Sequence, residues 1–162
     1  MIDEIIREHA EKKGIKIERI IEFDPKDLNI DKRTQWKCKF GCNYYGRRYS
    51  CPPNIPEDYE EFIKSYSKAV AIVYHYEDFM KSKIEMQKIL VDIENSIAPT
   101  YPMAFALFPG GCDLCDECEF EKNGKCVSPE KVRPSIAAMG INVAELGVTL
   151  GDGRAVAVIL IH

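Results

Sequence analysis

Residues 68–76 read KAVAIVYHY, and this stretch decides the fold. Its β-branched and aromatic side chains suit a pleated, packed surface, which makes it a buried strand. Three other stretches join it. IKIERIIEF (15–23) alternates well enough for a strand and is ended by Asp24-Pro25. MAFALFPGG (103–111) reads as a third strand, and RAVAVILIH (154–162) closes the chain after the turn GDG.

Helical patterns lie between these strands. Ile2, Ile5, Ile6, His9 and Ala10 share one face of a first helix that Gly14 stops. Tyr59, Phe62, Ile63 and Tyr66 recur at helical spacing behind Pro56. Met86, Ile89, Ile93 and Ile97 form the stripe of a long helix ending before Pro99. Ser128-Pro129-Glu130 predicts an N-cap and first turn, opening a helix that Pro134 interrupts and Gly140 ends. A short helix is expected at Val143–Leu146. The order predicts an α+β (or α/β) fold: one four-stranded sheet with packed helices. The pattern leaves the strand directions open. Residues 1–162 read as one metal-binding domain, with cysteine loops at 36–56 and 110–128, each following a strand.

A chain of 162 residues has the length of one ordinary domain and buries about 70% of its unfolded surface, so it can support a core without metal staples. The net charge of −4 argues against a general nucleic-acid binder. No apolar run reaches the length of a membrane span, and MIDEIIREHAEKKG has no uninterrupted apolar region of the signal-peptide kind. The expected compartment is therefore the cytoplasm. Seven cysteines there point away from a disulfide framework, because the count is odd and disulfides are rare in that compartment outside hyperthermophiles. Metal binding is the better account.

GGCDLCDECEFEKNGKC carries Cys112, Cys115, Cys118 and Cys126 as C-x2-C-x2-C-x7-C. Zinc knuckles take cysteines in pairs around one tetrahedral ion. Three cysteines at successive two-residue gaps instead wrap the chain around something larger, as a [4Fe–4S] cubane with separate iron corners requires. The longer gap to Cys126, with Pro129 three residues beyond it, departs from two-cluster ferredoxins. Zinc is the alternative occupant. Gly110-Gly111 suits close backbone approach. Asp113, Asp116, Glu117, Glu119 and Glu121 read either as a solvated loop or as charge that lowers a cluster potential or docks a basic redox partner.

CKFGCNYYGRRYSC (38–51) holds Cys38, Cys42 and Cys51 as C-x3-C-x8-C, followed by Pro52 and Pro53. Three thiolates can hold a cubane and leave one iron without a cysteine. Lys37, Lys39, Arg47 and Arg48 would offset cluster charge. Arg47 and Arg48, with Tyr45, are the candidate residues for a small anionic ligand, and the aromatics Trp36, Phe40, Tyr44, Tyr45 and Tyr49 would shield the site. Three alternatives stand beside this: a distant fourth ligand, with His75 the best-placed histidine; zinc with a water or histidine; and unligated cysteines in an aromatic segment. The radical-SAM spacing is not met, and neither PGGC nor GDGR is a phosphate loop.

Taken together, C-x3-C-x2-YG-x4-CPP (Cys38, Cys42, Tyr45, Gly46, Cys51, Pro52, Pro53), GGCDLCDEC…C-x2-P and RPSIAAMGINV resemble the cysteine-rich "predicted metal-binding protein" family. This is a domain of unknown function common in methanogenic archaea and anaerobic bacteria. The resemblance runs from the first cysteine loop through Val143. It implies metal binding, iron–sulfur in kind, in an anaerobic cytoplasm, and it carries no established reaction. Three readings follow. The first is a redox protein with a second, site-differentiated cluster that acts on a small anionic or sulfur ligand. The others are a non-catalytic electron carrier or accessory module, and a zinc-stapled interaction protein.

Overall fold

The computed structural model describes residues 1–162. In chain order its elements are α1 (Ile2–Lys12), β1 (Lys16–Phe23), α2 (Arg33–Gly41), α3 (Tyr59–Lys64), β2 (Lys68–His75), α4 (Phe79–Ile97), β3 (Phe105–Leu107), α5 (Glu119–Asn123) and β4 (Arg154–Ile161). The strands form one sheet in the order β1-β2-β4-β3, and every pairing is antiparallel. The fold is α+β. β2 and β3 run in the same direction on either side of β4, so β2-α4-β3 is a split β-α-β unit.

Two cores flank the sheet. Val70, Ile72 and Tyr74 of β2 and Ala157, Ile159 and Ile161 of β4 face α1 and α4. The alternate residues, Ala69, Ala71, Val73, Val156, Val158 and Leu160, face α3 and the segment from Ile136 to Val148. Cover on both sides explains why β2 and β4 are apolar almost without break. β1 lies at the edge, and its charged Lys16, Glu18, Arg19 and Glu22 blunt that edge against further pairing. Its pairing with β2 slips between Ile17 and Arg19, at Glu18, whose carboxylate binds Arg154 Nε at 2.8 Å and His75 Nε2 at 2.9 Å.

α4 starts at Asp78, whose side chain accepts a hydrogen bond from the Lys81 amide at 3.1 Å, and stops at Ala98 ahead of Pro99. Two expectations are corrected here. The helix expected over Ser128–Gly140 is instead two short 3-10 turns, Pro129–Lys131 and Ala137–Met139. Extended backbone through Pro134 joins them and bridges Phe108 to Ser135 in parallel. Pro134 lacks an amide, and its predecessor is biased toward extended backbone, so the chain here pairs with β3's continuation instead of coiling. The first cysteine segment, expected as a loop from Trp36, is helical through Gly41. No helix is long and apolar enough to cross a membrane.

Leu90 and Ile93 are fully buried between α4 and the sheet. Replacing either by alanine is expected to lower stability by about 2–5 kcal/mol, and Ile20→Ala on the half-exposed edge strand by less. Anaerobic urea unfolding checks this difference.

Candidate metal centre

α2 carries the first thiol. Cys38 and Cys42 are one helical turn apart, and the Cys42 amide closes the last turn on the Cys38 carbonyl at 3.0 Å, which sets both thiols on one side of the helix. Beyond the helix the chain turns at Gly46, whose amide binds the Pro52 carbonyl at 2.8 Å. This returns Cys51 toward the other two. Cys51 is buried, Cys38 half-buried and Cys42 exposed. Burial pushes the Cys51 thiol up to about 11, and nearby Cys42 and Cys38 push in the same direction. Burial also raises Cys38, with Cys42 adding to it. The three sulfurs thus lie within electrostatic range of each other. The aromatics do not shield them as expected: Trp36 and Phe40 project into solvent and stack on each other at 6.1 Å.

The second loop forms a pocket of its own. Cys112, Cys115, Cys118 and Cys126 all line one cavity of about 130 Å³, walled by Phe120 and Val132. Burial pushes Cys112 up to about 11, and Cys126, Cys115 and Cys118 raise it further. No group of three or more His, Cys, Asp or Glu side chains converges closely enough to hold a single ion. A water occupies about 30 Å³, so this cavity has room for several bodies of that size. α5 forms part of the loop, with Cys118 at its N-cap and Gly124 ending it.

Tertiary packing brings the two loops into contact. Asp113 sits at the junction, where it accepts from Lys83 Nζ at 2.7 Å and from the Tyr44 hydroxyl at 2.6 and 2.8 Å. Arg48 NH2 stands 3.7 Å away. Arg48 also donates from Nε to the Cys112 carbonyl at 2.8 Å and from NH1 to Glu121 at 3.1 Å. The Tyr44 ring lies under both Lys83 and Arg48, at 4.5 and 4.7 Å. Burial, then the Asp113 hydrogen bond, raises the Tyr44 phenol, which keeps it a donor. Ser50 adds a second tie. Its hydroxyl accepts from the Cys112 amide at 2.9 Å and lies 3.4 Å from Cys51 Sγ, so one side chain touches a thiol-bearing residue of each loop. Gly111 is required by this contact, because a Cβ there would fall 1.8 Å from the Tyr44 ring.

The segment 133–141 clasps the assembly. Ser135 N binds Ser50 O at 3.1 Å, Phe108 N binds Pro134 O at 2.8 Å, and Asp31 N binds Gly140 O at 2.8 Å. Arg133 anchors the clasp on α4 through both guanidinium arms to Glu94, at 2.6 and 2.9 Å. Gln87, fully buried, holds the entry to loop two from the Gly111 carbonyl and the Asp113 amide, at 2.9 and 3.0 Å.

Of the residues proposed for an external anion, Arg48 is engaged within the chain, Arg47 is exposed with Glu121 at 3.8 Å, and Tyr45 is half-buried. His75 is taken by Glu18. Lys83, Gln87 and Ser50 escaped sequence reading as parts of the site, and Asp113, read there only as one of the acidic residues flanking the second set, is instead the junction of the two loops. A signal for two of them exists: Lys83 and Gln87 are polar residues set one turn apart on the buried side of α4, beside Met86 and Leu90.

A four-stranded α+β scaffold that packs two cysteine-bearing loops against each other suits a metal-binding protein. A family model described as "Predicted metal-binding protein (DUF2284)" matches residues 21–153, and the chain belongs to that family. No curated protein and no solved structure matches the chain.

Lys83 and Asp113 side chains are 6% and 13% exposed. Asp113→Ala leaves Lys83 buried without its carboxylate and is expected to cost about 3–5 kcal/mol. Lys83→Ala costs less, since Tyr44 and Arg48 still serve Asp113. Thermal unfolding of the two variants side by side tests the order, and Gly111→Ala is expected to fall with the more damaged one.

Proposed function

We propose that this chain is an iron–sulfur redox protein, with a [4Fe–4S] cluster on Cys112, Cys115, Cys118 and Cys126 and a second, site-differentiated cluster on Cys38, Cys42 and Cys51. The observation that carries this reading is the cavity that all four cysteines of the second loop line, roomier than a single ion needs. When bound, such groups supply one-electron transfer, and an iron without a cysteine ligand supplies a position open to an anionic or sulfur ligand.

The remaining residues have definable jobs. The Ser50 hydroxyl lies 3.4 Å from Cys51 Sγ, where it can donate to a thiolate, and accepts from the Cys112 amide, orienting one cysteine of each set and giving the two sites a hydrogen-bonded connection. Lys83 and Arg48 place positive charge between the loops, which offsets thiolate charge in a half-buried region. Phe120 and Val132 wall the second site, and each set has one exposed cysteine, Cys42 in the first and Cys115 in the second. Only the three-cysteine set leaves an iron without a cysteine ligand, so chemistry on a ligand belongs at the first site and storage or relay of an electron at the second. All seven cysteines are free thiols, which fits a reducing cytoplasm.

Anaerobic purification followed by iron and acid-labile sulfide analysis tests the proposal. About eight irons per chain are expected, four of them lost in Cys126→Ser. Mild oxidation is expected to remove the open iron at the first site and produce a three-iron paramagnetic signal, which Cys51→Ser abolishes. A colourless protein with stoichiometric zinc overturns the reading.

A further inference from the structure

Beside the first cysteine site lies a cleft of about 800 Å³, within the range of small-molecule sites. One wall is the N-terminal half of α2, where Lys37 directly precedes Cys38. Another is Pro109-Gly110, which leads through Gly111 into Cys112. The cleft therefore touches the chain on its way into both metal sites. Its floor is apolar, built from Ile136, Ile141 and Val156. Two large apolar side chains on its rim, Phe79 and Leu150, are 46% and 55% exposed and have not found cover within the fold. Phe79 meets Tyr76 edge-to-face at 5.1 Å, offering an aromatic edge against which a flat body can pack.

The charge of the lining selects the sign of the ligand. Arg33, Lys37 and Arg154 line the cleft against one carboxylate, Asp31. Asp31 is matched by Arg33 through two hydrogen bonds of 2.9 and 2.8 Å. Arg154 binds Glu18 through Nε, which leaves its two terminal nitrogens for another acceptor. Lys37 has no carboxylate within salt-bridge distance. A site with two cationic donors, an apolar floor and an aromatic rim is complementary to an anion attached to a planar body. Neither a bare inorganic anion nor an uncharged ring would use both halves.

We propose that this cleft binds a flat organic anion, a carboxylate or phosphate on an aromatic or heteroaromatic body, and holds it against the α2 wall that carries Cys38. Its role as the substrate site rests on the redox function proposed above; its capacity to bind does not. Lys83 runs behind the wall, with Cε against Gly110 and Nζ 5.8 Å from the Phe79 ring. A ligand on Phe79 is thus one side chain away from the Asp113 junction.

The test is calorimetric titration of the anaerobically purified full-length chain with 2-naphthoate, a planar aromatic carboxylate. Inorganic sulfate serves as the anion without a body, and naphthylmethanol as the body without a charge. One saturable site is expected, with both controls at least about tenfold weaker. Lys37→Glu is expected to weaken the probe by about tenfold or more, and Ala137→Phe, which narrows the cleft from an exposed position, to remove binding. Phe79→Leu, which keeps apolar volume but loses the ring, is expected to weaken it less than either. No saturable binding to the wild type overturns the proposal, as does unchanged affinity in folded Lys37→Glu and Ala137→Phe. Iron is counted on the same samples. Binding without iron leaves the cleft standing and removes the redox role, whereas iron without binding does the reverse.

Discussion

The carboxylate of Asp113 is the point at which the two halves of the site meet. It follows the first cysteine of loop two, yet its partners come from α4 and loop one: Lys83, Tyr44 and Arg48. A carboxylate this enclosed is tolerated only when cations and hydroxyl donors surround it. Removing any one partner leaves the others less than satisfied. The close approach of the Tyr44 ring to Gly111 follows from the same contact, as does the inward turn of Arg48. The relative position of the two thiol sets is thereby tied to a long helix that is itself anchored on the sheet.

This arrangement gives opposite charges a structural use before any functional one. The basic residues of the first cysteine loop and the acidic residues of the second are complementary, and in part they neutralise each other: Arg48 and Arg47 against Glu121, Arg48 and Lys83 against Asp113. Their mutual attraction adds to the Tyr49–Phe120 ring contact, 5.8 Å between centroids, in docking the two segments. Charge that is not consumed in this way lies elsewhere, with Asp116 and Glu117 exposed on loop two and Lys37 on the cleft wall. A ligand or partner meets these residues, not the internal pairs.

The clasp from Arg133 to Ile141 accounts for a motif whose residue types suggest no chemistry. Pro134 and Ser135 run beside Phe108 and Ser50, and Gly140 meets the chain just before α2. Loop one, loop two and α2 are thus held by one short segment, and the Arg133–Glu94 pair fixes that segment to the split β-α-β unit. A metal site built on two loops needs such support, because loops alone seldom hold thiols to the tolerance a metal requires.

The scaffold was legible in the sequence because its signals are local. Continuous apolar runs mark β2 and β4, alternation marks β1, and the Met86, Ile89, Ile93, Ile97 stripe marks α4. Side-chain periodicity follows from backbone geometry alone. The two cysteine groups were legible for the same reason, since the cysteines of each are close in sequence. The helix expected after Ser128 was not borne out, because pairing of Pro134 and Ser135 beside β3 is a long-range term that a local cap does not reveal. The same limit hid Lys83, Gln87 and Ser50 and the junction role of Asp113, whose contacts here span 24 to 69 residues. The sequence by itself determined the elements, the α+β class and the cysteine groups. Tertiary structure decided the all-antiparallel order, the contact of the two cysteine loops and the cleft beside them, because these depend on contacts that exist only once distant segments share a surface.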